Sequence, residues 1–185
     1  QTANSSYPDT GLAEMTDGQL FGKTASSAEW TGYHVNSAHG SNDNGSYVDI
    51  KVDLGEAKKI TGFGVSALSY TPWGISAPNI IEVYASSNGT DYYQHNTLTR
   101  TLTPVTGAYQ VISYESVSSV ASNDRYVIFR CYFVSNHMFI GEVSVYGEGD
   151  IGRSNFVSFN KQNHSGTHEH QNNHNECTQR VHAYR

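Results

Sequence analysis

Aromatic rings and uncharged polar side chains meet in three turn-rich stretches of this sequence, SYTPWGISAP, SNHM and TGYHVNSAHG. The first sets Tyr70 and Trp73 in a loop bounded by Pro and Gly, the second puts Asn136 and His137 just before the last apolar run, and the third adds Tyr33, His34 and His39. A sugar is held by an aromatic face against the apolar side of its pyranose ring, with polar groups set around it for the hydroxyls. Tyr70, Trp73, Asn136, His137 and His34 supply that combination and are the candidate ligand contacts. For Trp73 a plainer role competes, a loop plug over the end of the core.

A second chemical group is a single carboxylate. Glu142 interrupts HMFIGEVSVYG, residues 137 to 147, an otherwise apolar run. With a period of two, Phe139, Gly141, Val143 and Val145 share one face and Met138, Ile140, Glu142, Ser144 and Tyr146 the other. An ionised carboxylate beside apolar neighbours is costly unless a cation or several donors meet it.

The remaining candidates carry less. Five of the nine histidines lie beyond Asp150, and His170 and His174 would share a helix face. A polar His-rich tract without a scaffold reads as a solvated tail that picks up metal adventitiously. Cys131 reads as a small core residue, and with Cys177 it makes too few cysteines for a disulfide framework. Four Asn-x-Ser/Thr sequons, at Asn4, Asn44, Asn88 and Asn163, are weak pointers to secretion in a chain so rich in Asn and Ser. Gly-x-Ser-x-Gly, His-Glu-x-x-His and phosphate-cradling glycine loops are all missing from the sequence, which argues against an enzyme.

Charge and composition narrow the partners and the fold. The formal charge is −6 and the eleven basic residues are scattered, which argues against nucleic acid. No apolar run is long enough to span a bilayer, and the polar opening QTANSSYPD reads as the start of a mature or excised fragment. Only 15% of residues are charged, whereas Gly, Ser, Thr, Asn and Tyr abound, a usage that favours strands and turns.

The elements that must position these groups are strands. YVDIKVDL alternates cleanly, and KITGFGVSAL, NIIEVYAS, YQVISYE, RYVIFRCYFV and FIGEVSVYG are further runs of the same kind. Asn88-Gly89 marks a hairpin. Without crossover helices the strands predict an all-β body of two packed antiparallel sheets, with loops gathered at its two ends. Val48, Ile50, Val52, Phe63, Val65, Ile81, Val83, Val127, Phe129 and Val143 are the predicted core. The domain runs over residues 1–150, and residues 151–185 form a polar, poorly ordered His- and Asn-rich tail in which IGRSNFVSFN is the one segment able to dock as a strand.

Taken in order, SYPDTGLAEMTDG, Trp30, YVDIKVDLGEAKKITGFGV, IEVYASSNGTDY, DRYVIFRCYF and FIGEVSVYG resemble the discoidin, or coagulation factor five/eight type C, family over about Ser6 to Gly147. The resemblance implies a galactose-binding-like jelly-roll β-sandwich with Trp30 in its core. Coagulation-type members clamp their termini with a disulfide. Cys131 lies inside a strand run here, so bacterial carbohydrate-binding modules of this fold are the nearer relatives.

The resemblance also implies a structural Ca2+ that ties a Thr-Asp-Gly turn to the Glu of the last strand. Thr16-Asp17-Gly18 and Glu142 fall on those positions, so Asp17 and Glu142 are the expected carboxylate ligands, and such oxygen donors suit calcium. Thr24, Ser26 and Ser27 are open for the hydroxyl ligand, with Thr24 named. The alternative is a plain Asp-Gly turn with Glu142 meeting backbone donors or an Arg. The implied function is a non-catalytic, lectin-like module for galactose-type or related terminal sugars. It would be extracellular or at the cell surface, with any catalysis, such as that of a glycoside hydrolase, in another domain of the parent chain. The competing implication is an adhesion domain that binds protein or phospholipid through the same loops. Those loops carry almost no Lys or Arg, unlike a lipid-binding surface.

Overall fold

The computed structural model describes Met15, Thr16, Gly18, Thr24, residues 29–100 and residues 107–147, the last without the side chains of 117–120. Asp17 and the 151–185 segment lie outside the described residues.

Among the described residues seven strands run in chain order as β1 (Thr31–His34), β2 (Gly40–Asn42), β3 (Gly45–Ser69), β4 (Ile80–Ser86), β5 (Tyr93–Thr99), β6 (Gln110–Tyr132) and β7 (His137–Gly147). The strands pair antiparallel throughout, in the order β1-β7-β3-β6-β4-β5, with β2 alongside β3, and one isolated parallel bridge joins Ile75 to His137. The all-β expectation holds. The count of strands does not, because the runs YVDIKVDL and KITGFGVSAL are one strand, β3, and YQVISYE and RYVIFRCYFV are one strand, β6.

These two strands pair with each other along almost their whole length, and the ladder folds over on itself. Phe129 stands opposite Ile50, and Phe63 lies thirteen residues further along β3. In a straight strand at about 3.3 Å per residue they would be roughly 40 Å apart. Their rings are 6.0 Å apart. The fold-over falls where the register breaks, between Asp53/Lys58 and between Ile60/Gly62. Extra residues in one strand bend a ladder without ending it, which is how a single hydrogen-bonded sheet becomes a sandwich. One layer then holds β2, the first half of β3, the second half of β6, β4 and β5, and the other holds the remaining halves with β7 and β1.

All ten predicted core residues are buried in one cluster with Leu54, Ile60, Tyr114 and Met138. Burying an aliphatic or phenyl side chain of this size contributes about 1.5–3 kcal/mol. By contrast, the Arg125–Asp53 pair at the bend, bidentate at 2.7 and 2.8 Å, keeps its Arg partly in water and contributes about 1 kcal/mol or less. Apolar burial therefore closes the sandwich, and the ion pair orients its corner. Among the described residues no helix is long and apolar enough to cross a membrane.

Beside the bend, His95 of β5 is wedged against the core. Its ring meets Phe63 edge-on at 5.1 Å, its Nε2 lies 3.0 Å from Ser122 Oγ, and its Nδ1 is buried without a partner. Burial pushes its pKa below the ordinary 6.5, with Asp124 opposing in part. Below about pH 6.5 the unfolded chain therefore takes up a proton that the folded chain refuses. We expect stability to fall as pH drops through that value and to level off below the depressed folded pKa. A urea midpoint series from pH 7.5 to 5 checks this against His95→Gln, which should lose that part of the slope. A second prediction follows at Gly62, where an added Cβ would lie 2.5 Å from the Ser116 carbonyl oxygen. Gly62→Ala should cost about 1–3 kcal/mol in urea unfolding by overpacking the ladder.

Candidate functional site

The Tyr70 to Ser76 loop is shaped by two residues with restricted or special backbones. Pro72 occupies the second position of a single 3-10 turn, Thr71–Trp73, and Gly74 closes it at φ 65, ψ 27. Proline presets the helical φ, and glycine adopts the left-handed conformation without strain. Tyr70 and Ile75 then bond to each other across the loop at 2.9 and 3.2 Å.

The same loop is strapped to the start of β7. The Gly74 carbonyl accepts from His137 N at 3.2 Å and from Ser135 Oγ at 2.7 Å, and Ser76 N donates to the His137 carbonyl at 3.1 Å. β1 closes the other flank, with His34 opposite His137 in register and Val35 N donating to the Asn136 carbonyl at 2.9 Å. Beneath lies a satellite core of Trp30, Leu68, Ile75 and Phe139, against which Tyr70 and Val111 pack.

All five predicted contacts therefore come to one end of the sandwich. Trp73 is 60% exposed, so the loop-plug role does not hold. The ring is pushed outward by the turn and is supported by Tyr70 at 5.3 Å, 77° edge-on. A residue that the sequence reading missed completes the platform. Tyr109 stacks on Tyr70 at 3.9 Å and 10°, meets Trp73 at 6.1 Å and 84°, and is 43% exposed. Its only sequence signal is its place just after Gly107, a left-handed turn residue at φ 83, and just before β6. The result is a corner of aromatic faces set at nearly right angles.

The imidazoles supply donors. His34 Nδ1 accepts from Asn36 N at 3.1 Å, so its proton sits on Nε2. His137 keeps Nδ1 buried without a partner. A bare buried acceptor costs less than an orphan N–H, which assigns that proton to Nε2 as well. The two rings touch edge-on at 4.8 Å. Asn136 is exposed, Val134 is 46% exposed, and residues 34–37, 70–76, 107–109 and 133–137 contain no Asp, Glu, Lys or Arg. The site can offer apolar ring faces, N–H donors and hydroxyls to a neutral polyol.

Two neighbours named with these residues in the sequence lie elsewhere in role. Tyr33 is a buried core residue whose hydroxyl faces Met15 Sδ at 3.6 Å. His39 accepts from Asp49 N at 3.0 Å and so holds the β2–β3 side. Trp30 is buried, as the resemblance implied, with its Nε1 donating to the Thr24 carbonyl at 2.7 Å.

Glu142 is 1% exposed. Its face differs from the strict alternation, because β7 bulges at Gly141: Ser66 pairs with Glu142 while Ala67 pairs with Ile140. The core-facing parity consequently changes, so Met138 and Ile140 join Val143 and Val145 in the main core. Glu142 Oε2 accepts from Gly18 N at 3.1 Å, and Oε1 from Ser144 Oγ at 3.2 Å. Opposite it, Ser66 Oγ is buried without a partner among the described residues. Thr24 is exposed, and its hydroxyl donates to Glu29 Oε1 at 3.0 Å. Among the described residues no three His, Cys, Asp or Glu side chains gather as a metal cluster. Cys131 is free and buried, and burial pushes its thiol far above its usual range, so it is an inert core residue in this fold.

The chain is similar to the crystal structure of an F5/8 type C domain of a Bacteroides fragilis protein, at 16% identity and a TM-score of 0.48, covering 77% of this chain and 82% of that one. No family model and no curated protein matches it.

Proposed function

We propose that this chain is a non-catalytic carbohydrate-binding module, extracellular or at the cell surface, that takes galactose-type or related neutral terminal sugars at the Tyr70, Trp73 and Tyr109 corner. One observation carries the reading. Among the described residues, three of the four large apolar side chains left exposed, Trp73, Tyr109 and Val134, belong to these loops, beside uncharged donors. Trp73 and Tyr109 provide ring faces for the pyranose, and His34, His137 and Asn136 provide polar contacts. Without Lys or Arg in these loops a phosphate headgroup finds no cation, which favours the neutral ligand. Catalysis would belong to another domain of the parent protein.

So open a site buries little area, and monovalent affinity should be on the order of micromolar to millimolar. Useful retention then needs tandem modules or a dense glycan surface. Trp73→Ala should abolish retention on a galactose-bearing matrix and leave the melting temperature nearly unchanged. Retention that survives the substitution moves the site elsewhere, and tight binding to a protein or a lipid vesicle with none to any glycan replaces this reading by an adhesion role.

A structural Ca2+ at Glu142 is part of the same proposal. The donors around this carboxylate fit the ion: Glu142 itself, the unpartnered Ser66 hydroxyl and the Ser144 hydroxyl are all oxygens, and the Gly18 turn lies directly on the carboxylate. Asp17 is the second carboxylate in this reading and Thr24 the loop hydroxyl. The ion would hold the Thr16–Gly18 turn to β7 without touching the sugar. Added Ca2+ should raise the melting temperature by linkage, chelator should reverse the gain, and Glu142→Gln should remove most of it. A wild-type melting temperature indifferent to Ca2+ contradicts the ion.

A further inference from the structure

Two Asn-Gly pairs occupy exposed turns, Asn44-Gly45 between β2 and β3 and Asn88-Gly89 between β4 and β5. In such a pair the glycine nitrogen meets no Cβ on its way to the asparagine side-chain carbonyl. Attack forms an N–Cγ bond and expels ammonia, which leaves a succinimide. Water then opens either ring carbonyl to give aspartate or isoaspartate. The step requires the side-chain amide to swing over the glycine nitrogen.

At Asn88 that swing is blocked from every side. Its Oδ1 accepts from Ser86 Oγ at 3.0 Å, Thr90 N at 2.9 Å and Asp91 N at 2.9 Å, and its Nδ2 donates to Asp91 at 2.8 Å. The nucleophile is held too, since Gly89 N donates to Ser86 Oγ at 2.9 Å.

Asn44 has the same neighbour and less restraint. Its Nδ2 donates to Glu82 Oε1 at 3.2 Å, its side chain also hydrogen-bonds the Tyr132 hydroxyl, and its backbone N donates to Asn42 Oδ1 at 2.9 Å, while no described hydrogen bond reaches its Oδ1. The turn closes β2, a three-residue strand that among the described residues pairs with β3 alone, Gly45 standing opposite Asn42 at the end of that ladder, and the space beside Gly45 is open. Short peripheral ladders open at low cost.

We infer that Asn44 is a site of spontaneous deamidation selected by the fold, with water as the only co-reactant, and that Asn88 is protected. The product places a carboxylate against Glu82, which also accepts from the Tyr132 and Tyr84 hydroxyls at 2.6 and 2.8 Å. The modification therefore adds repulsion on the outer face of the first layer, far in sequence from the aromatic corner.

The test is peptide mapping that separates asparaginyl, aspartyl and isoaspartyl forms at both sites, after incubating the full chain at mildly alkaline pH with and without urea. In the native sample Asn44 should convert at least about tenfold faster than Asn88, the equivalent of one or two hydrogen bonds that Asn88 must break first. In urea the gap should close. Ser86→Ala, which removes one of the three hydrogen bonds to Oδ1 and frees the Gly89 N–H, should raise conversion at Asn88 and leave Asn44 unchanged. Equal native rates, an intact Asn44, or a gap that persists in urea would overturn the inference, and the urea comparison needs no variant.

Discussion

Everything in this molecule hangs on one ladder that is too long to stay straight. β3 and β6 pair from Tyr47–Tyr132 at one end to Ser69–Gln110 at the other, and the apolar side chains along them can be removed from water only if the ladder doubles back. Once it does, Phe63 and Phe129 face each other, and the strands added at each edge complete two layers around a single interior. The bend is also where polar groups are most tightly organised: Asp53 accepts from Nε and Nη2 of Arg125, and Asp124 accepts from the Tyr93 hydroxyl.

The two ends of the ladder diverge in chemistry. On the outer face of the first layer, Arg130 lies 3.9 Å from the Tyr47 ring centroid and 5.1 Å from that of Tyr84 while it grips Asp49 at 2.8 and 2.9 Å. Desolvation beside Glu82 pushes the Tyr84 hydroxyl up to about 12, so it stays a donor at any physiological pH. Arg130, Asp49, Glu82, Tyr84 and Tyr132 there each already have a partner within the chain. At the other end of β3 the rings of Trp73 and Tyr109 are left in water on a backbone held by Gly74, Ser135 and His137. A rigid mount with ring surface left in water is what a binding site needs, and a satisfied network is what a wall needs.

The core was legible because alternation reports burial directly: each predicted position from Val48 to Val143 is inside. Strand count was not, because the alternating runs break off at GEA and SVSSVASND although the ladder passes through both with register shifts. The grouping of Met138 and Ile140 with Glu142 failed for the same reason, since one bulge at Gly141 reverses parity across it, while Glu142 stays on the face opposite Val143 and Val145. β1 and β5 were hidden in TGYH and YQHNTLT, whose polar content suits edge positions that need little burial. The loops named from residue type did converge. Tyr109 escaped because nothing local marks it, and its role comes from stacking on Tyr70, 39 residues away in sequence.

The chain has only two tryptophans, and they occupy opposite environments: Trp30 is buried with its Nε1 bonded to Thr24, and Trp73 stands in water on the aromatic corner. Two indole N–H resonances in a proton–nitrogen correlation spectrum therefore report the core and the site separately. Titration with a galactoside should move the Trp73 signal progressively and saturably while the Trp30 signal stays in place. Saturable backbone shifts confined to another face, with the Trp73 indole unmoved, would contradict the account.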